Sequence, residues 1–166
     1  MVDHQEHPSK IATWRDGALH VSPEAERADL VVWFAFDTED HEPRWEGLLA
    51  TASADGHAVV RSVPFFLYDI GLGDEVGTVT SSEGALVATE IRRRSDTYVY
   101  RVRFESDDDG WLQLMHDLEP NSCWFDVRSP RFIALAAPSE HAQAVADYLA
   151  KRELAGELQY ETGRTR

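Results

Sequence analysis

The stretch Ser62-Val63-Pro64-Phe65-Phe66-Leu67-Tyr68-Asp69-Ile70-Gly71-Leu72-Gly73-Asp74-Glu75-Val76 carries most of the information about the fold. An apolar strand runs into Pro64 and is followed by an aromatic turn. The Gly71-Leu72-Gly73-Asp74 corner then opens a new strand at Glu75. Corners of this kind belong to small, strongly bent sheets. Upstream, Leu30–Phe36 is a continuous apolar run of strand length, the pattern of a strand covered on both faces. Strand-like runs follow at 45–53, 57–63, 75–80 and 85–94, with Asp55-Gly56 and Glu83-Gly84 as hairpin signals between them. Five closely spaced strands with little helix predict a small bent sheet or barrel over residues 28–94.

Downstream the period changes. Tyr98, Tyr100, Val102 and Phe104 alternate with Thr97, Val99, Arg101 and Arg103, the signature of a strand. Trp111, Leu114, Met115 and Leu118 follow at helical spacing, with Asp107, Asp108 and Asp109 at the positive end of that helix. Strands are expected at 121–127 and 131–137. A helix capped by Ser139 should bury Ala142, Val145, Tyr148 and Leu149 and end at Gly156, with a last strand at 157–161. The order βαββαβ is the ferredoxin-like plan over residues 95–162. Its helices cover one sheet face, so the other face needs the barrel lobe or a second copy of the chain as cover. The fold class is therefore α+β: an N-terminal β-rich barrel lobe followed by a ferredoxin-like lobe. Residues 1–27 read as a mobile leader and lead-in, with a brief helix at Ser22-Pro23-Glu24 and a short strand or turn near 18–21. Residues 163–166 read as a tail.

The 166-residue chain is 43% apolar, enough for one good core or two small ones. Its 30 acidic and 16 basic residues give a net charge of −14. Nucleic-acid backbones are repelled by such a surface, whereas a basic protein partner is attracted. Cys123 is the only cysteine, which excludes an internal disulfide and a four-cysteine zinc site. With no signal-peptide pattern and no apolar run of membrane-spanning length, a cytoplasmic protein is expected, without membrane association.

Three blocks resemble a bacterial family catalogued only as domain of unknown function 4265. They are Trp45-Glu46-Gly47-Leu48-Leu49-Ala50; Val63-Pro64-Phe65-Phe66 through Gly73-Asp74-Glu75-Val76; and Arg94-Ser95-Asp96-Thr97 leading into Val99-Tyr100-Arg101-Val102. In the third block the family usually shows a Ser-Gly pair and a further hydroxyl residue, where this chain has Asp96 and Tyr98. The likeness spans roughly residues 30–160 and implies no reaction, so it transfers no catalytic residue.

The chemistry-bearing candidates are few. Asp37, Glu39, Asp40 and Glu42 crowd a loop with His41, without the regular spacing of a calcium loop, and Trp45 follows as an apolar anchor. That set is the candidate partner-binding surface, against the plain alternative of a solvated charged loop. Tyr68, Asp69 and Asp74, with Arg101 and Arg103, are the candidates for a small ligand pocket; packing and internal ion pairing are the alternatives. His4 and His7 belong to the leader, His57 and His116 stand alone, and Cys123 reads as an inert buried thiol. No nucleophile elbow, phosphate loop or dinucleotide fingerprint is present, and no cofactor or metal site is expected. The sequence thus favours a non-catalytic acidic binding protein, for instance a cytosolic immunity protein that occludes a basic toxin domain. A small-molecule-binding regulatory module is the alternative.

Overall fold

The computed structural model describes residues 3–164, which form twelve strands, three helices and one 3-10 turn. The first sheet contains β1 (Asp3–Glu6), β4 (Leu30–Phe36), β5 (Arg44–Ala54), β6 (His57–Val60), β7 (Glu75–Thr80) and β8 (Leu86–Arg93). Its order is β1-β5-β4-β8-β7-β6, and β6 also pairs with β5, so β4–β8 close into a five-stranded barrel. Closure depends on the length of β5: its first half pairs with β4 and its last residues with β6. Alternating inward side chains fill the ring. Val32, Phe34, Leu48, Ala50, Ala58, Val60 and Val76 form one buried cluster, which Leu67 and Ile70 close from outside the strands.

The second sheet is antiparallel, with the order β12-β9-β11-β10-β2-β3. It comprises β2 (Ala12–Arg15), β3 (Ala18–Val21), β9 (Thr97–Arg103), β10 (Trp124–Ser129), β11 (Phe132–Pro138) and β12 (Gln159–Arg164). The short α1 (Pro23–Glu26) follows β3, whereas α2 (Gly110–Asp117) and α3 (Ser139–Leu154) pack on one face of this sheet. Leu114, Met115, Leu118, Val145 and Leu149 meet Tyr100, Val102, Phe125, Ile133 and Leu135 there. Each such side chain contributes roughly 1.5–3 kcal/mol by leaving water. On the opposite face Val99, Phe132, Ala134 and Ala136 pack against Ile11, Val63, Phe65 and Leu72. The barrel lobe therefore covers the second sheet, and it does so with the loop 61–74. No helix among the described residues is long and apolar enough to cross a membrane.

Several expectations need correction. The leader carries two strands, β1 in the barrel sheet and β2 beside β10 in the second sheet, and the short strand expected near 18–21 is β3, paired with β2. Gly163 and Arg164, expected in a tail, belong to β12; residues 1–2 and 165–166 lie outside the described part. Ser139 is the first residue of α3 and not its cap, because its hydroxyl donates to Asp96. Among the three aspartates before α2, Asp108 accepts the Gly110 N–H at 3.0 Å. The strand expected at 121–127 starts only at Trp124, after the 3-10 turn Glu119–Asn121 and a left-handed Ser122.

Candidate functional site

Loop 61–74 is the long connection between β6 and β7, and most of it is buried. A buried segment without a ladder has to place its backbone polar groups elsewhere. Here ionisable side chains take them. Glu46, on β5 and 1% exposed, accepts the N–H groups of Phe65 at 2.7 Å, Phe66 at 3.0 Å and Leu67 at 3.2 Å. Asp126, on β10 and fully buried, accepts Val63 N–H at 2.7 Å. Asp74 accepts Gly71 N–H at 2.9 Å and Ser95 N–H at 2.7 Å, and it is paired with Arg164. Arg101 donates to the carbonyls of Pro64 and Leu67 and to Glu161 at 3.0 Å. Ser95 and Thr97 hydroxyls donate to the Leu72 carbonyl at 2.6 and 2.9 Å. Two glycines leave room for the arginines: a Cβ at Gly71 would meet Arg164 at 2.8 Å, and one at Gly163 would meet Arg101 at 2.9 Å. Charge-assisted hydrogen bonds of this kind rigidify a loop that has no secondary structure of its own.

The candidate pocket residues are distributed among these contacts. Asp74 and Arg101 hold the loop, so neither presents free polar atoms to an inter-lobe cavity, and the loop fills the space between the lobes. Tyr68, expected in packing or a pocket, is 61% exposed. Its ring covers the Arg101 guanidinium at 4.6 Å and its hydroxyl donates to Glu161. Arg103 lies over the Phe132 ring at 4.4 Å. Asp69 adopts a left-handed conformation, φ 62°, and borders an open cleft of about 560 Å³ with Arg94, Ser95, Asp96, Thr97, Tyr98 and Arg164. The five candidates thus do not converge on one cavity.

The partner-binding candidates do stay together. Asp37, Glu39, Asp40 and Glu42 are all exposed on the β4–β5 loop. Thr38 donates to Asp40 and holds its carboxyl below the usual range, with Arg44 at 3.3 Å adding to the effect. His41 takes a left-handed φ of 56° and bends the loop. Trp45, the expected apolar anchor, is half-buried at the foot of the loop and stacks on His4 of β1 with ring centroids 6.5 Å apart. Glu6 and the four loop acids flank this outer barrel face, and Arg44 is the single lysine or arginine on β1, β4, β5 and the loop.

The remaining candidates have local partners. His57 lies 3.4 Å from Glu75, which also accepts the Ser53 hydroxyl. That hydroxyl faces the carboxylate and not the imidazole, so the trio holds no serine–histidine hydrogen bond. Nearby, the consecutive cations Arg92, Arg93 and Arg94 around the end of β8 are not among those candidates and bond to Glu90, Glu75 and the Asp69 carbonyl. Cys123 is buried, which pushes its thiol up to about 12. The sequence missed Glu46, His7, Asp126 and Arg164 as framework residues. One signal was available: Glu46 has the same strand parity as the inward Leu48 and Ala50. Asp126 likewise sits within an apolar strand.

A family model described as Domain of unknown function (DUF4265) matches residues 46–160, and the chain belongs to this family. The three sequence blocks that carry the likeness supply Glu46, loop 63–74 with Asp74, and the Ser95 and Thr97 hydroxyls, the parts of one buried assembly. A structure described as "Novel crystal structure of a hypothetical protein from Neisseria gonorrhoeae" is similar in fold. It has a TM-score of 0.71 and 15% identity, covering 81% of this chain and 93% of that one. No curated protein matches.

Proposed function

We propose that this protein is a non-catalytic binding module that engages a basic protein partner through its β4–β5 loop. The concrete form is a cytosolic immunity protein that neutralises a toxin domain by occlusion. The observation that carries this reading is the outward set Asp37, Glu39, Asp40 and Glu42, placed on a closed barrel beside a half-buried Trp45. Net charge −14 supports it, because only three acids and two arginines are buried among the residues with described burial and the excess lies at the surface. The second lobe is read as ferredoxin-like: the βαββαβ order, the strand order β12-β9-β11-β10 and two helices on one face support that assignment. In this reading both lobes are scaffold, and the acids steer association while aromatic contact at Trp45 retards dissociation. The alternative of a regulatory ligand held between the lobes is disfavoured by loop 61–74, which occupies that space.

The test is affinity capture from the native host at low and moderate salt, with wild-type protein and with the Asp37→Asn, Glu39→Gln, Asp40→Asn, Glu42→Gln variant as bait. A stoichiometric basic partner, retained by the wild type and lost from the variant, supports the proposal. A neutral or acidic partner, or none, removes it.

A further inference from the structure

The segment 3–9 crosses from one lobe to the other. β1 pairs in parallel with β5 on the barrel, placing His4 against Trp45 and, edge-on at 5.4 Å, against Trp33. Gln5 accepts from Arg128 of the second sheet at 2.8 Å, and the His7 backbone N–H donates to Gly47 at 3.1 Å. The His7 ring, 1% exposed and stacked on Phe65, then enters the interface. Its Nδ1 lies 2.9 Å from the Ser9 carbonyl and its Nε2 lies 3.0 Å from the Val63 carbonyl and 3.5 Å from Asp126 Oδ2. The Ser9 hydroxyl donates to Asp126 Oδ1 at 2.9 Å.

Carbonyl oxygens only accept, so both ring nitrogens must carry hydrogen for both contacts to be hydrogen bonds. That is an imidazolium facing the Asp126 carboxylate, which in turn accepts Val63 N–H and Ser9 O–H. We infer that segment 3–9 is a latch fastening the two lobes through one proton held jointly by His7 and Asp126, and that losing this proton opens it. Moving the proton from ring to carboxyl leaves the pair neutral; removing it does not.

The other charges facing the pair are the Glu46 carboxylate from β5 and the Arg128 guanidinium from β10. Without the proton, Asp126 and Glu46 are two buried carboxylates sharing loop 61–74 with no shared proton to offset them, and one of the two carbonyls facing His7 lacks a donor. Burial raises the Asp126 carboxyl well above its ordinary range and lowers His7 below 6.5. A raised folded value means stabilisation present at low pH and lost as pH rises through it. The lowered His7 value places addition of a second proton in the acidic range, which leaves a closed interval between the two steps.

Nuclear magnetic resonance of the full chain from about pH 6 to about pH 9.5 tests this. The His7 ring nitrogens should not follow free-histidine titration near 6.5. Protection of the His7 and Val63 amides, corrected for intrinsic exchange, should fall together by about tenfold or more at the alkaline end, while amides in β6 and β7 keep theirs. Asp126→Asn, which retains an acceptor for Val63 N–H, should abolish the pH dependence, and His7→Gln provides the same test where the first variant folds poorly. Flat protection across the range, a His7 ring that titrates as in a free peptide, or unchanged pH dependence in both variants overturns the latch.

Discussion

Glu46 concentrates the logic of the structure in one side chain. A carboxylate at an inward position of an apolar strand is costly to bury unless its oxygens are filled, and three backbone N–H groups fill them. Glu46→Ala strips donors from a buried loop and should cost about 3 kcal/mol or more in denaturant unfolding. Glu46→Gln keeps one carbonyl acceptor but turns an amino group toward the remaining N–H groups, so it should fall between Ala and wild type. Cys123 gives a second prediction. With its thiol pushed up to about 12, it carries negligible thiolate near neutral pH. A thiol reagent should modify it only as fast as the protein opens, and denaturant should speed labelling by about a thousandfold. At this scale the sequence was readable where a residue's neighbours defined its environment. Cys123 between Ser122 and Trp124 was legible as inert, whereas His7 was not legible as buried. Its partners Val63 and Asp126 lie 56 and 119 positions away, and a polar heptapeptide gives no local sign of them.

At the level of elements, β12 ends in an ion pair that ties it to the corner after loop 61–74. Arg164 reaches Asp74 from 90 positions away, and both are buried. Arg164→Ala leaves Asp74 without a counter-charge and should cost about 3–5 kcal/mol. Adding Asp74→Asn should recover part of that loss, giving a coupling energy measurable in a double-mutant cycle. On the barrel, β4 and β5 are packed across Gly47, where a Cβ would lie 3.0 Å from the Trp33 ring and 3.0 Å from Val31. Gly47→Ala should push the indole outward, shift tryptophan emission and cost about 1–3 kcal/mol. Strands β4–β12 were legible because period-two alternation, apolar runs and Asp-Gly or Glu-Gly turns are local, whereas β1 and β2 read as leader. The allocation of β1, β2 and β3 to two different sheets was not legible. Four-residue strands carry too few apolar positions to declare a partner, and pairing such as Phe125 with Ala12 is decided by tertiary packing.

For the whole molecule, the buried arginines and carboxylates largely offset one another, so the excess negative charge is a surface property. That charge repels itself in the folded state and should make stability rise modestly with added monovalent salt, the opposite of a protein held by exposed ion pairs. The same field gives the binding proposal its kinetic signature. The acidic loop was legible in the sequence as a loop and as a charge cluster, and its exposure follows from both. The burial of Trp45 beneath His4 was not legible, because β1 reads as leader. The most direct measurement is the salt dependence of the association rate with the captured partner, for wild type and for the variant neutralised at 37, 39, 40 and 42. The account predicts a steep fall with salt for wild type and an association at least about tenfold slower, with a shallow salt slope, for the variant. Equal rates and equal slopes for the two proteins would contradict it.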